Sequence, residues 1–193
     1  MIFETVVSTL SPAGELHLAP MGVRYEGEGE AARVVLMPFK PSKTLDNILA
    51  TRRAVLNLTD DVRVFAGCVT GRREWPTVAL EGFAGRRLHN ALAHVELTLT
   101  GDQDDALRPT LHMRRGHEGV HGAFAGFNRA QAAVIEGAVL VSRLGMLPRE
   151  KVETEMDYLQ IAIDKTAGPR ELEAWDWLYA AVQDFHAHAL EVR

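Results

Sequence analysis

Between Lys40 and Asn47 the chain sets two ammonium groups, Lys40 and Lys43, beside two hydroxyls, Ser42 and Thr44. Pro38 and Pro41 end the preceding extended stretch. The apolar spacing of Leu45, Ile48 and Leu49 then predicts a helix starting at Ser42 or Lys43. A helix N-terminus offers backbone N–H groups without intrahelical partners, together with the positive end of the helix dipole. Hydroxyls and ammonium groups added at that point make a cradle for a phosphate monoester. The same residues equally fit an ordinary N-cap serine or threonine with solvated lysines.

A second segment, Ala19-Pro20-Met21-Gly22-Val23, puts a proline and a glycine into an otherwise extended run. Glycine lets a flat ligand approach the backbone closely; a β-bulge or corner would use the same residues. A third group is His112, His117 and His121, with Glu118 among them. Zinc takes such ligands, but no helical spacing puts the three on one face. Gly116, Gly119 and Gly122 read instead as a mobile loop, suited to a gate near a binding site, with no metal. Cys68 is the sole cysteine, so no internal disulfide forms, and it reads as a small buried side chain. No serine-hydrolase elbow, Walker loop or dinucleotide-binding fingerprint is present.

The elements that must position these residues change character along the chain. Ile2–Leu10, Leu16–Val23, Arg33–Met37 and Ala54–Thr59 read as strands, separated by turn chemistry at 11–14 and 26–30. Val62–Trp75 has no clean period and reads as a helical turn and loop. Val78–Gly82, Leu92–Thr100 and Thr110–Met113 are further strands, and in the second of these Val95, Leu97 and Leu99 face one way while His94, Glu96 and Thr98 face the other. Helical spacing then takes over. Val134, Ile135, Ala138 and Val139 form one stripe; Val152, Met156, Leu159 and Ile163 another; Leu172, Trp175, Leu178, Val182 and Phe185 a third. Strands followed by helices predict an α+β fold, with a strand-built domain over 1–126 and a helical subdomain packed on it over 127–193.

The bulk numbers narrow the function. The chain has 193 residues, 47% of them hydrophobic and 24% charged, with a formal net charge of −5. That composition is ordinary for a globular protein. Mild acidity argues against nucleic-acid binding and against attachment to anionic lipid. The N-terminal MIFETVVSTL lacks the basic region of a signal peptide, and no apolar run approaches the roughly 20 residues of a membrane span. A cytoplasmic location is expected.

Taken together, "APMGV", the following strand, "PSKTLDNI" and "VLNLT" resemble the FMN-binding split-barrel proteins, which include flavin reductases and pyridoxamine-phosphate oxidases. The opening "ETVVSTL…APMG" and the later "NRAQAAVIEGAVLVSRLGML" and "DKTAG" are similar to one branch, domain-of-unknown-function family 447. That branch is known from archaea and from bacteria that use tetrahydromethanopterin. The resemblance implies a split β-barrel with a C-terminal helical extension. It implies an isoalloxazine ring beside Pro20, Met21, Gly22 and Val23, and a ribityl phosphate held by Lys40, Ser42, Lys43 and Thr44. Asn47 and Asn57 would lie near the ribityl chain or ring edge. It further implies a homodimer, with Trp75 and Arg114 as candidates to complete the partner's site. The activity implied is redox chemistry on a small molecule, linked to tetrahydromethanopterin-dependent one-carbon metabolism. A non-catalytic flavin-binding or assembly role, or a deazaflavin-binding reductase, would use the same fold.

Overall fold

In a computed structural model, which describes residues 1–29 and 32–191, the chain forms eight strands and five helices among the described residues. Residue 30, at the end of the expected 26–30 turn, lies outside them. Six strands make a closed antiparallel barrel in the order β1 (Phe3–Leu10), β2 (Leu16–Glu26), β3 (Arg33–Leu36), β8 (Thr110–Val120), β7 (Ala93–Gln103), β4 (Arg53–Leu58), with β4 closing onto β1. A small hairpin of β5 (Thr77–Ala79) and β6 (Arg86–Leu88) is the second sheet.

The β1–β2 turn follows from its residues. Gly14 takes φ +85°, which favours glycine, and its N–H closes the turn onto the Ser11 carbonyl at 2.8 Å. Inside the barrel, Val7, Val23, Val34, Leu36, Leu56, Val95, Leu97, Leu99, Leu111 and Met113 make the core. Helix α1 (Lys43–Thr51) adds Leu45 and Ile48 to it, while Leu49 is exposed. Val6 and Ser8 of β1 are buried as well, on the opposite pleat. The β5–β6 hairpin covers that face: the Ser8 hydroxyl donates to the Arg86 carbonyl at 2.5 Å.

By compactness the chain divides into two units that interleave in sequence. One is Met1–Thr59 with Glu74–Phe124; the other is Asp60–Arg73 with Ala125–Arg193. Helix α2 (Arg63–Val69), inserted between β4 and β5, thus groups with α3 (Arg129–Val141), α4 (Arg149–Thr166) and α5 (Pro169–Glu191). In this second unit Asn128 caps α3, accepting from Ala130 and Gln131 N–H groups, and its amide donates to the Thr166 carbonyl at the end of α4. Gly137 lets α3 approach α5, since a Cβ there would stand 2.9 Å from the Trp175 ring. The α5 stripe departs from the expected one. Trp175, Leu178 and Val182 are buried, but Leu172 and Phe185 are exposed, and Glu171 and His186 are buried instead. The Glu171 carboxylate accepts from the Gly168 N–H and from the Gln131 side chain, which keeps that turn inward.

Candidate functional site

The cradle segment forms as a helix start. Ser42 is the N-cap of α1, with an extended backbone, and its hydroxyl oxygen accepts from the Leu45 N–H at 3.2 Å. The hydroxyl proton remains available to a ligand. Lys43 and Thr44 occupy the first two helical positions, whose N–H groups have no intrahelical acceptor. Thr44 is fully buried and its hydroxyl has no hydrogen-bond partner. An unpaired buried hydroxyl costs about 1–3 kcal/mol, so it stands out beside the satisfied groups around it. Lys43 is exposed, whereas Lys40 is ion-paired to Asp104 at 2.5 Å.

The tip of the β7–β8 hairpin holds the loop that leads into α1. The Lys40 N–H donates to the Leu107 carbonyl at 2.9 Å, and Arg108 donates to the Met37 carbonyl at 3.1 Å while its guanidinium lies over the Phe39 ring. Asn47, one turn into the helix, is buried and donates to the Thr9 hydroxyl of β1 at 3.0 Å. That bond fixes the helix against the barrel.

Pro20–Gly22 lie where the barrel is split. They pair with β1 on one side, Pro20 with Val6, Met21 with Thr5 and Gly22 with Glu4. On the other side β3 reaches only Val23, paired with Leu36. Among the described residues no strand covers the far edge of Pro20–Gly22. Helix α1 packs against β1, β2 and β4, within the same compact unit as this open β2 edge. A Cβ on Gly22 would stand 2.8 Å from Ile2 and 3.3 Å from the Glu4 carboxylate. Val23, expected beside the ring, is fully buried and paired on both sides, with Phe3 of β1 and Leu36 of β3, so it offers a ligand neither side chain nor backbone.

Asn57 does not join this group. It is fully buried, its amide donates to the Val6 carbonyl and the Ser8 hydroxyl, and its oxygen accepts from the Leu88 N–H at 2.7 Å. Every polar atom of the side chain is used in tying β1, β4 and β6 together. Arg114 is exposed on β8, opposite Arg33 of β3.

The histidines fall differently from the expected loop. Residues 116–120 are the end of strand β8, not a loop, which removes the basis for a gate there. His112 pairs with Gly101 near one end of the β7–β8 ladder, and His117 sits five residues away, about 17 Å along a strand. His117 and His121 instead meet His94 of β7. The His94 ring is 3% exposed, and its Nδ1 lies 2.8 Å from the His121 Nε2. Burial first, then the neighbouring His121, lowers the His94 pKa below the ordinary histidine value. The strand alternation set His94 with Glu96 and Thr98 on the face opposite Val95, Leu97 and Leu99, and nothing in the sequence marked it as buried. The described residues contain no group of three or more ligand side chains arranged to hold a metal ion.

Cys68 is half-buried and its thiol is pushed up to about 11 by burial, which leaves it a neutral side chain. No described helix is long and apolar enough to cross a membrane.

Comparison with known proteins decides the family. Residues 3–122 match the N-terminal-domain model of the protein family of unknown function DUF447, and residues 128–180 match the model of its remaining part. The chain belongs to the DUF447 family. The fold of this DUF447 chain is similar to that of an FMN-bound DUF447-family protein from Methanosarcina mazei, with TM-score 0.81 and 22% identity over 93% of this chain and 94% of that one. The barrel is also similar to a split-barrel-domain protein of Shewanella frigidimarina assigned as a flavin reductase (TM-score 0.55, 14% identity, 66% and 74% covered). An FMN-binding protein from Thermus thermophilus with bound p-hydroxybenzaldehyde matches at TM-score 0.52 and 16% identity, covering 61% and 71%. No curated protein matches the sequence. The DUF447 chain is thus an α+β protein with a split β-barrel and a C-terminal helical extension.

Proposed function

We propose that this DUF447 chain is a cytoplasmic FMN-binding flavoprotein that carries out a redox reaction on a small molecule, with the FMN phosphate held at the start of α1. The observation that carries the reading is the buried, unpartnered hydroxyl of Thr44 at a helix N-terminus. A phosphate oxygen within its reach takes that hydrogen bond. The Ser42 hydroxyl, the N–H groups of Lys43 and Thr44 and the Lys43 ammonium add donors of the right sign. The FMN-bound relative from Methanosarcina mazei, similar along nearly its whole length, supports the choice of cofactor.

When bound, FMN supplies a ring that takes up and releases hydride or electrons. The chain's own part is to hold and orient it. The open edge of Pro20–Gly22 presents backbone N–H and C=O groups to a flat ligand, and Gly22 keeps a side chain out of the way. Asn47 keeps α1 fixed on β1 through Thr9. Asn57 serves the barrel rather than the cofactor. A second copy of the chain covers the site and completes it. The place of the reaction in tetrahydromethanopterin-linked one-carbon metabolism rests on the family resemblance alone.

The test starts with the absorbance spectrum of the purified protein and the mass of the ligand it releases, expected to be FMN. Replacing Ser42 and Thr44 together with alanine should weaken FMN binding by about 2 kcal/mol, because hydrogen bonds to a charged group are worth roughly 1.5–3 kcal/mol. Riboflavin, which lacks the phosphate, should bind variant and wild type alike. Undiminished FMN affinity in the double variant overturns the cradle. A released deazaflavin would instead assign the deazaflavin reductase, and a bound flavin that NAD(P)H does not reduce would favour a flavin carrier.

A further inference from the structure

Away from the cradle, at the far end of the β7–β8 ladder, the chain leaves the barrel unit through His121. We propose that the His94–His121 pair is a pH-released clasp on the last of the three places where the chain passes between the two compact units. The barrel unit runs to Phe124 and the helical unit resumes at Ala125. Residues 122–127 are exposed throughout, and Gly126 takes φ +121°. What holds the start of this segment is local. The N–H groups of His121 and Gly122 both donate to the Leu92 carbonyl, at 2.7 and 3.1 Å. The His121 ring stacks on His94, with centroids 5.0 Å apart and planes 12° from parallel, and the two are joined by the Nδ1···Nε2 hydrogen bond.

The fit is built for this pair. Gly119 lies opposite His94 across the ladder, and a Cβ there would stand 2.6 Å from the His94 ring and 3.2 Å from the His121 ring. A hydrogen bond between two imidazoles needs one nitrogen with a proton and one without. One added proton leaves the bond possible; two leave two donors facing each other. Burial and the neighbouring cationic groups oppose added charge on the rings, and only the backbone of Gly119 favours it on His94. His94 feels His121, Arg87 of β6 and His117 of β8, and His121 feels Arg87. Glu118, the nearest carboxylate in sequence, is tied to Arg115, and Glu96 of β7 lies against Gly116.

Acid therefore favours the open form. Both folded-state histidine values lie below the ordinary one of about 6.5. The clasp is at full strength above that value. It weakens as pH falls below it, because the opened histidines bind protons that the closed ones reject. Opening frees the ring of His121 and the two amides on Leu92, and so releases the start of the exposed segment 122–127 from the barrel.

Amide hydrogen exchange, corrected for the intrinsic pH dependence, reads this directly. Between about pH 7.5 and pH 5, protection at His121 and Gly122 should fall by about tenfold or more, since each excluded proton favours opening tenfold per pH unit. Protection at Thr5–Thr9 of β1 should hold, which separates local release from acid unfolding. In the variant His121→Gln only His94 still titrates, so protection at residue 121 and Gly122 should fall clearly less over the same range. Constant protection in the wild type overturns the clasp. So does an equal loss in the variant, or a loss shared by β1.

Discussion

Asn57 spends its side chain on three elements at once, and that makes it a stability residue. Removing it leaves the Leu88 N–H buried without its acceptor and takes a donor from the Val6 carbonyl and from the Ser8 hydroxyl, which keeps its bond to the Arg86 carbonyl. Asn57→Ala should lower the unfolding free energy by about 2–4 kcal/mol, since each orphaned buried group costs roughly 1–3 kcal/mol. Urea unfolding measures that loss, and the FMN affinity of the folded protein should not change. Gly22 gives the opposite pattern. The atom its Cβ would meet first belongs to the side chain of Ile2, which is 60% exposed and free to turn away. Gly22→Ala should therefore cost less than about 1 kcal/mol of stability, as exposed changes usually do. Its FMN affinity should nevertheless fall if the flat ligand lies on this face of β2, where the methyl group projects beside Ile2 and Glu4. Unchanged affinity would move the flat ligand elsewhere. Both asparagines illustrate how far residue types reach. The resemblance carried by "PSKTLDNI" and "VLNLT" put both near a ribityl chain or ring edge, yet nothing in a sequence says that Asn57 has already used its hydrogen bonds on Val6, Ser8 and Leu88.

Helix α2 shows what is lost when elements are read one at a time. Its segment has no clean apolar period, because it is held by charge as much as by its apolar face. Asp61, fully buried, pairs with Arg63 at 2.7 Å, and Arg63 reaches Glu173 of α5 at 3.1 Å. Burial alone would raise the Asp61 carboxyl, but the hydrogen bonds and charge of Arg63 bring it below the usual carboxylate range. Its contribution is therefore present above the unfolded value of about 4 and is lost as pH falls through the lower folded value. Asp61→Asn should destabilise the protein by about 2 kcal/mol near neutrality, the worth of a hydrogen bond to a charged group. The gap between variant and wild type should close in acid; a gap that persists at pH 2 would mean packing, not charge, sets the cost. Strands and long helices were legible because their apolar periods survive: Val95, Leu97 and Leu99 are all buried as the alternation requires. The end of β8 was not, because Gly116 and Gly119 read as loop residues. Their glycines serve close cross-strand approach, Gly116 against Glu96 and Gly119 against His94. The α5 stripe failed at Leu172 and Phe185 for a related reason, since buried Glu171 and His186 carry no apolar signal.

At the scale of the whole molecule the apolar residues around the cradle decide what the protein needs beside it. Phe39 is 52% exposed in the loop that leads into α1, and Leu107 is 60% exposed at the hairpin tip that holds this loop. Ile2 and Phe3 are exposed at the start of β1, next to the β2 edge. Single exposed apolar residues are common, but here several fall in the one unit that carries the cradle. A flavin ring left open to water at that place would gain little from burial. A two-fold partner presents the same patch to itself, covers both sites together and excludes water from both, and stable interfaces of this kind typically bury over about 2,000 Å². The chain should therefore run as a dimer in light scattering at micromolar concentration with saturating FMN. Replacing Phe39 and Leu107 together with aspartate should shift the mass to that of a monomer and weaken FMN binding in parallel, while the barrel stays folded by circular dichroism because both side chains are already half in water. A monomeric wild type at saturating FMN would end the idea of a shared site. A dimer that survives both substitutions would place the interface on another face and return the cradle to a single chain.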